Sequence, residues 1–159
     1  MATTIAAKTL GVTVSERINL GGYSQSSTHS YTHDGITSVS KRILTITTNE
    51  STVATFSGAV ASAGHYNDSA VRYIRFSNLD DTNFITLTFR NQDNDEVAIK
   101  HDAGQSLIWN ADNSGGMVGV FNATQDADAA SDTAFWSLTN IQADANTGSC
   151  DLEMLIASV

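Results

Sequence analysis

Residues 71–91, which read "VRYIRFSNLDDTNFITLTFRN", decide the fold of this chain. Apolar and polar side chains alternate on both sides of a polar corner, and this period of two is typical of β-strands. The pattern predicts a hairpin in which Thr86, Thr88 and Arg90 face water or a neighbouring molecule. Five apolar residues are expected to share one core: Ile74, Phe76, Ile85, Leu87 and Phe89.

The same alternation recurs along the chain between corners rich in Gly, Asn, Asp and Ser. "EVAIK" (96–100) is expected to turn Val97 and Ile99 inward, and "CDLEMLIA" (150–157) predicts a last strand with Cys150 as a small buried residue. The interpretation is a single domain, residues 1–159, with an all-β fold. We expect an antiparallel β-sandwich, jelly-roll-like or Ig-like, of about nine to eleven short strands.

The amino-acid composition supports an all-β fold, and the net charge disfavours one class of function. The chain has 19 Thr and 18 Ser, and 16% of its residues are charged, against about 25% in typical domains. The net charge of −9 disfavours direct binding to nucleic acid, which needs a basic surface. No signal peptide and no membrane span are indicated, so synthesis and assembly in a cytoplasm are expected.

Acidic residues are concentrated in residues 102–159, which hold eight carboxylates and no Lys or Arg. A negative surface there would suit a basic protein partner or divalent cations, or would simply keep the protein soluble. The tightest cluster, Asp126, Asp128 and Asp132, predicts a partly electrostatic attachment to a partner. The acidic stretches "NLDDTN", "QDNDE" and "DADAASD" lack the pattern of a calcium-binding loop and are interpreted as turns.

Other polar groups give no catalytic motif. In "HSYTHD" (29–34), His29, Tyr31 and His33 would share one face of a strand, but the two histidines would be about 13 Å apart, too far for one metal ion. They are expected to be surface or interface residues, whereas His65 and His101 are expected to be structural. No nucleophile elbow, phosphate loop or zinc-protease helix is present, so no enzyme activity, cofactor or metal is expected.

A candidate interface lies in "GGMVGVFN" (115–122), where apolar side chains would point to both faces of a strand. Such a segment is either a central strand or one whose outer face meets another subunit. The residues concerned are Met117, Val118, Val120 and Phe121. Closed symmetry is the usual way to cover such a patch, so we expect a homo-oligomer, with a trimer favoured.

The run "VRYIRFSNLDDTNFITLTF", with "EVAIKHDAGQSLIW" and the closing "CDLEMLIASV", resembles small β-sandwich virion proteins of tailed bacteriophages, particularly marine and cyanobacterial ones. The similarity covers about residues 70–159, and Ala103 stands where that family often has a proline. It implies a virion structural protein, most simply a capsid decoration (cement) protein that stabilises the head shell. Its partners would be the major capsid protein or tail proteins.

Three alternatives stay open at this point. A tail component would share the same features. A carbohydrate-binding module would require an exposed Trp109 or Trp136, and a small hydrolase would require a catalytic site assembled from dispersed residues.

Overall fold

A computed structural model describes residues 5–60, 62–111, 113, 116–117 and 138–159 of the chain. The all-β prediction is confirmed, although this part of the chain holds thirteen strands rather than nine to eleven. Very short strands account for the difference. In chain order the strands are β1 (Lys8–Glu16), β2 (Asn19–Leu20), β3 (Tyr23–Ser24), β4 (Ser27–Ile36), β5 (Ser38–Ile46), β6 (Ser51–Ser57), β7 (His65–Asn67), β8 (Val71–Asn78), β9 (Ile85–Asn91), β10 (Glu96–His101), β11 (Ser106–Asn110), β12 (Leu138–Ala145) and β13 (Cys150–Ser158).

The strands from β5 onward form a sandwich of two sheets. A four-stranded sheet has the order β11-β8-β13-β5, and a five-stranded sheet has the order β10-β9-β12-β6-β7. All neighbours are antiparallel except β6 and β7, which are parallel. Without the short β7, the order in which the chain visits the two sheets is that of a jelly roll, an architecture found in viral capsid and lectin domains. Of the two topologies considered from the sequence, the jelly roll therefore describes these strands.

The stretch 71–91 forms two strands, but the predicted hairpin between them is wrong. β8 lies in the four-stranded sheet and β9 in the five-stranded sheet, so the two strands face each other across the core. The connection is six residues long, 79–84, whereas hairpin loops usually have two to five residues. The prediction that Ile74, Phe76, Ile85, Leu87 and Phe89 share one core is confirmed.

Asn78 fixes the crossing from one sheet to the other. Its side-chain amide donates hydrogen bonds to the carbonyl oxygens of Asn83 (2.8 Å) and His101 (3.1 Å), and its Oδ1 accepts one from the amide of Asp80 (3.0 Å). Asn83 leads into β9 and His101 ends β10, so one buried side chain ties the end of β8 to the opposite sheet. A buried amide with all these partners holds the corner in one conformation.

A second, smaller core lies on the outer face of the four-stranded sheet. Ile36, Tyr73 and Ala157 are buried there, with Leu10, Val12 and Leu155 packed against them. These residues come from the two-stranded β1–β4 ribbon and from strands β8 and β13. Strand β8 is therefore covered on both faces, which explains why its residues are almost all buried.

Two smaller expectations for side-chain burial differ from the structure. Thr88 is buried rather than facing water, because β9 has a neighbouring strand on each side. Val97 lies on the inward face as expected, because it pairs with Phe89, but it is largely exposed, since β10 is the edge strand of its sheet. Ile99 packs against the core, and the predicted alternation in β13 is confirmed, with Cys150 buried. Burial raises the pKa of the Cys150 thiol.

Candidate functional site

The most unusual surface of the protein is the ribbon formed by β1 and β4, with β2 and β3 at its tip. Eight residue pairs join β1 to β4, from Lys8 and Ile36 to Glu16 and Ser27. Gly21 and Gly22 make the turn at the tip, and both have positive φ angles (60° and 86°). A two-residue Gly-Gly turn suits a hairpin because glycine adopts this backbone region at little cost.

The base of the ribbon is attached to the sandwich. His33 is buried and its ring nitrogens lie 3.1 Å from Asn113 Oδ1 and 3.2 Å from Asn110 Oδ1. Its ring also lies beside those of Tyr31 and Tyr73, at centroid distances of 5.7 and 6.3 Å. The expectation that His33 is a surface residue is therefore wrong, because its strand lies across β8 and buries it. His29 is exposed, as expected.

Beyond this base the ribbon has no core. All eighteen residues from 13 to 30 are exposed, and this segment is called the distal ribbon below. Hydroxyl pairs link its two strands, with Thr13 Oγ1 2.9 Å from Ser30 Oγ and Ser15 Oγ 3.3 Å from Thr28 Oγ1. An isolated two-stranded hairpin is only marginally stable in water. A partner molecule that covered the distal ribbon would therefore stabilise it.

Three large apolar side chains at the tip of the distal ribbon are exposed to solvent. Their exposed fractions are 51% for Ile18, 64% for Leu20 and 78% for Tyr23. They lie within six residues of one another on either side of the Gly-Gly turn. A cluster of exposed large apolar side chains on a protruding element is characteristic of a protein-protein contact.

Charged groups on the outer face of the four-stranded sheet neutralise one another. The Glu153 carboxylate pairs with Lys41 Nζ (3.0 Å) and with the Arg75 guanidinium. Elsewhere, Asp102 pairs with Lys100 (2.6 Å). These cations come from the first hundred residues, so part of the negative charge of the last third is balanced within the fold.

These ion pairs predict a pH dependence of stability. The hydrogen bond from Lys41, together with Arg75, lowers the pKa of Glu153 below its ordinary value of 4.5. The unfolded chain therefore takes up this proton more readily than the folded one. The stabilisation by Glu153 is fully present at neutral pH and is lost as the pH falls from 4.5 through the lower folded-state pKa.

We expect Glu153→Gln to lower the urea midpoint of unfolding at neutral pH, and the gap from the unmodified protein to close below pH 4.5. Tryptophan fluorescence in urea would measure both midpoints. Glu50→Gln is the matched control, because Glu50 is exposed and has no ion pair with any described residue. If the difference between the two urea midpoints did not change with pH, the lowered pKa of Glu153 would not be its cause.

The acidic corners of the sandwich act as turns, as predicted. Asp80 Oδ1 accepts hydrogen bonds from the backbone amides of Asn83 (2.7 Å) and Thr82 (2.8 Å), which lower the pKa of Asp80. Asn91 Oδ1 likewise accepts from the amides of Asp93 (2.9 Å) and Asp95 (2.8 Å). Within the described ranges, no three His, Cys, Asp or Glu side chains are grouped as metal ligands. The acidic stretch 126–132 lies outside the described residues.

The predicted interface residues are mostly outside the described part of the chain. Met117 is described; it is 1% exposed and belongs to the main core. Val118, Val120, Phe121, Asp126, Asp128 and Asp132 lie outside the described residues, so the interface and the electrostatic attachment predicted for them stay predictions. Trp109 is partly buried and packs against Phe89, with ring centroids 5.3 Å apart, and Trp136 lies outside the described residues.

Sequence reasoning missed the distal ribbon, although the sequence contains a signal for it. The dipeptide Gly21-Gly22 stands between two segments of strand-forming residues, which is a hairpin pattern. The near absence of a core could also be read from the polar composition of "STHSYTHDG" (27–35), in which Tyr31 is the one large apolar residue. The position of the ribbon on β8 has no such local signal.

Comparisons with protein-family models, with curated proteins and with solved structures found no match for this chain. Among the described residues, no helix has the length and apolar character needed to cross a membrane.

Proposed function

We propose that this protein is a non-enzymatic structural subunit of a tailed-bacteriophage virion, and specifically a capsid decoration protein that binds and stabilises the head shell. One observation carries the proposal: eighteen consecutive residues, 13–30, form a strand-paired ribbon with every side chain exposed and three large apolar residues at its tip. This is an element that contributes to a contact between molecules rather than to the stability of its own subunit.

The fold and the resemblance of residues 70–159 to phage virion proteins support the same function. Jelly rolls serve as capsid domains, but also as lectins and cupins, so the fold alone does not select among these classes. The ribbon favours assembly, because an exposed paired element with large apolar side chains at its tip suits a contact with another molecule. A tail component would use the ribbon in the same way. Finding the protein in purified heads or in purified tails distinguishes a decoration protein from a tail component.

In the proposed assembly the tip of the distal ribbon packs on a neighbouring subunit, in a closed homo-oligomer that we expect to be a trimer. Burying Ile18, Leu20 and Tyr23 would remove most of the exposed apolar surface at the tip from water. Full burial of side chains of this size contributes about 1.5–3 kcal/mol each before the cost of association. A closed trimer would contain three copies of this contact.

The test is the triple variant Ile18→Ser, Leu20→Ser, Tyr23→Ser in the full-length chain. We expect sedimentation velocity to show a trimer for the unmodified protein and a monomer for the variant, because the apolar contacts of the tip are lost. The matched control replaces three other exposed apolar residues, Ile5→Ser, Leu79→Ser and Val97→Ser, and should remain a trimer. Mass spectrometry of purified phage heads and tails should find the protein in the heads.

Two results would overturn the proposal. One is a monomer at every concentration together with absence from purified particles. The other is an oligomer that both triple variants form equally well, which would place the contact away from the tip.

A further inference from the structure

A cleft opens at one side of the sandwich, where the edge strand β5 lies opposite β7 and the loop that precedes it. Its volume is about 510 Å³, and a second cleft of about 280 Å³ adjoins it. The two clefts share four lining residues: Arg42, Ala63, Gly64 and His65. Small-molecule sites usually have volumes of about 300–1,000 Å³, so the larger cleft has room for a ligand the size of one sugar unit.

Arg42 is the central charged group of this cleft. It pairs across the ladder with Met154, a core residue, so its side chain points toward the space between the two sheets. Its guanidinium lies against the backbone of Gly64, where a Cβ atom would be 3.2 Å from Nη1. The absence of a side chain at Gly64 therefore leaves space for the guanidinium. The backbone at Gly64 has a φ of 89°, which other residues rarely adopt.

Arg42 differs from the basic residues around it because it has no hydrogen bond or ion pair with any described residue. Lys41, Arg75, Arg90 and Lys100 each pair with a carboxylate, and the Arg72 guanidinium donates to the backbone carbonyls of Ser69 and Val71. A half-buried guanidinium without a partner has five N–H donors that a ligand can use.

The rest of the described lining combines hydroxyl and amide groups with apolar residues, and it has no acidic side chain. Ser38, Ser40, Ser62 and Asn67 line the larger cleft, and Tyr66 places its hydroxyl 3.0 Å from Ser40 Oγ. Neither cleft has an Asp or Glu among its described lining residues, although the chain has seventeen such residues. Thus no Asp or Glu side chain of the described lining opposes a negatively charged group that approaches Arg42.

We propose that this cleft binds a carboxylate-bearing sugar, such as a hexuronate unit of an acidic polysaccharide. The Arg42 guanidinium pairs with the carboxylate, because its planar fork matches the two oxygens. The serine hydroxyls and the Asn67 amide exchange hydrogen bonds with the ring hydroxyls, which an acidic peptide lacks. The adjoining cleft leaves room for the next unit of the polymer. This binding does not depend on the proposed role in the virion.

The experiment is an NMR titration of the isotope-labelled full-length protein with sodium glucuronate, and with glucose as the neutral probe of the same size. We expect glucuronate to shift the amide signals of Ser40, Arg42, Gly64 and His65, and glucose to shift them at least tenfold less at equal concentration. Arg42→Gln should weaken glucuronate binding at least tenfold, and Arg42→Lys several-fold, because lysine keeps the charge and loses the fork. Arg17→Gln, an exposed arginine of the distal ribbon, is the matched control and should bind unchanged.

Each alternative outcome overturns the proposal in a different way. Equal binding of glucuronate and glucose, or binding unaffected by Arg42→Gln, removes Arg42 from the site. Tighter binding of a triglutamate peptide at the same signals replaces the sugar by an acidic protein segment. The spectrum of Arg42→Gln without ligand shows whether this variant is folded. If Arg42→Gln does not fold, the binding of glucuronate by Arg42→Lys is compared with that of the unmodified protein instead.

Discussion

Replacing Leu87 by alanine is expected to lower the free energy of unfolding by about 2–5 kcal/mol. Leu87 is 0% exposed on the central part of β9, and its neighbours in the core come from both sheets. Removing its isobutyl group leaves a cavity that close-packed neighbours can fill only in part. Urea unfolding followed by tryptophan fluorescence measures the loss.

Leu79→Ala is the control for this prediction, because the same side chain is shortened at a position that is 50% exposed. We expect a loss below about 1 kcal/mol there, since little packing is removed. Equal losses for the two variants would mean that β9 does not lie in the core of the sandwich.

Replacing Gly116 by alanine is expected to lower the free energy of unfolding by about 3 kcal/mol or more, because a left-handed backbone and a steric clash both oppose the added Cβ. The φ of Gly116 is +61°, and an added Cβ would lie 2.5 Å from the carbonyl oxygen of Asp68 and 2.6 Å from the carbonyl carbon of Ser69. These are backbone atoms that cannot turn away. The next residue, Met117, donates its amide to the same Asp68 oxygen (2.8 Å) and places its side chain in the core, so any shift disturbs both.

Gly104→Ala separates the two effects. Gly104 has a similar φ of +71°, but an added Cβ would meet nothing within 4 Å. This variant should lose only the cost of the left-handed backbone, about 1–2 kcal/mol. Equal melting temperatures for the two alanine variants would show that the close approach of Gly116 to residues 68 and 69 is absent.

The sequence predicted the elements of the sandwich better than their arrangement. Period-two alternation located β8, β9 and β13 and the core residues on them, because each strand buries one face in the main core. It did not reveal that β8 is buried on its other face as well, since that depends on where the distant residues 8–36 lie. Corner length was an overlooked signal, because the six residues of 79–84 exceed a usual hairpin loop.

The candidate sites were harder to predict, for a related reason. Arg42 and His65 are 23 positions apart and meet because β5 and β7 are edge strands of two stacked sheets. In the sequence, Arg42 stands beside Lys41 and looks like one half of a basic pair on a strand. In the structure, Lys41 points outward to Glu153 and Arg42 points inward to the cleft. The register of β5 with β13, which places Arg42 opposite the core residue Met154, determines these directions.

In the proposed assembly, the exposed ribbon would also decide which contact between two subunits forms first. About nine residues per strand at ~3.3 Å each give the distal ribbon a length of about 30 Å, anchored at one end by the small core around Tyr73. An element that projects this far would meet a neighbouring subunit while the two sandwiches are still apart. The tip would then make contact before the rest of the proposed interface closes.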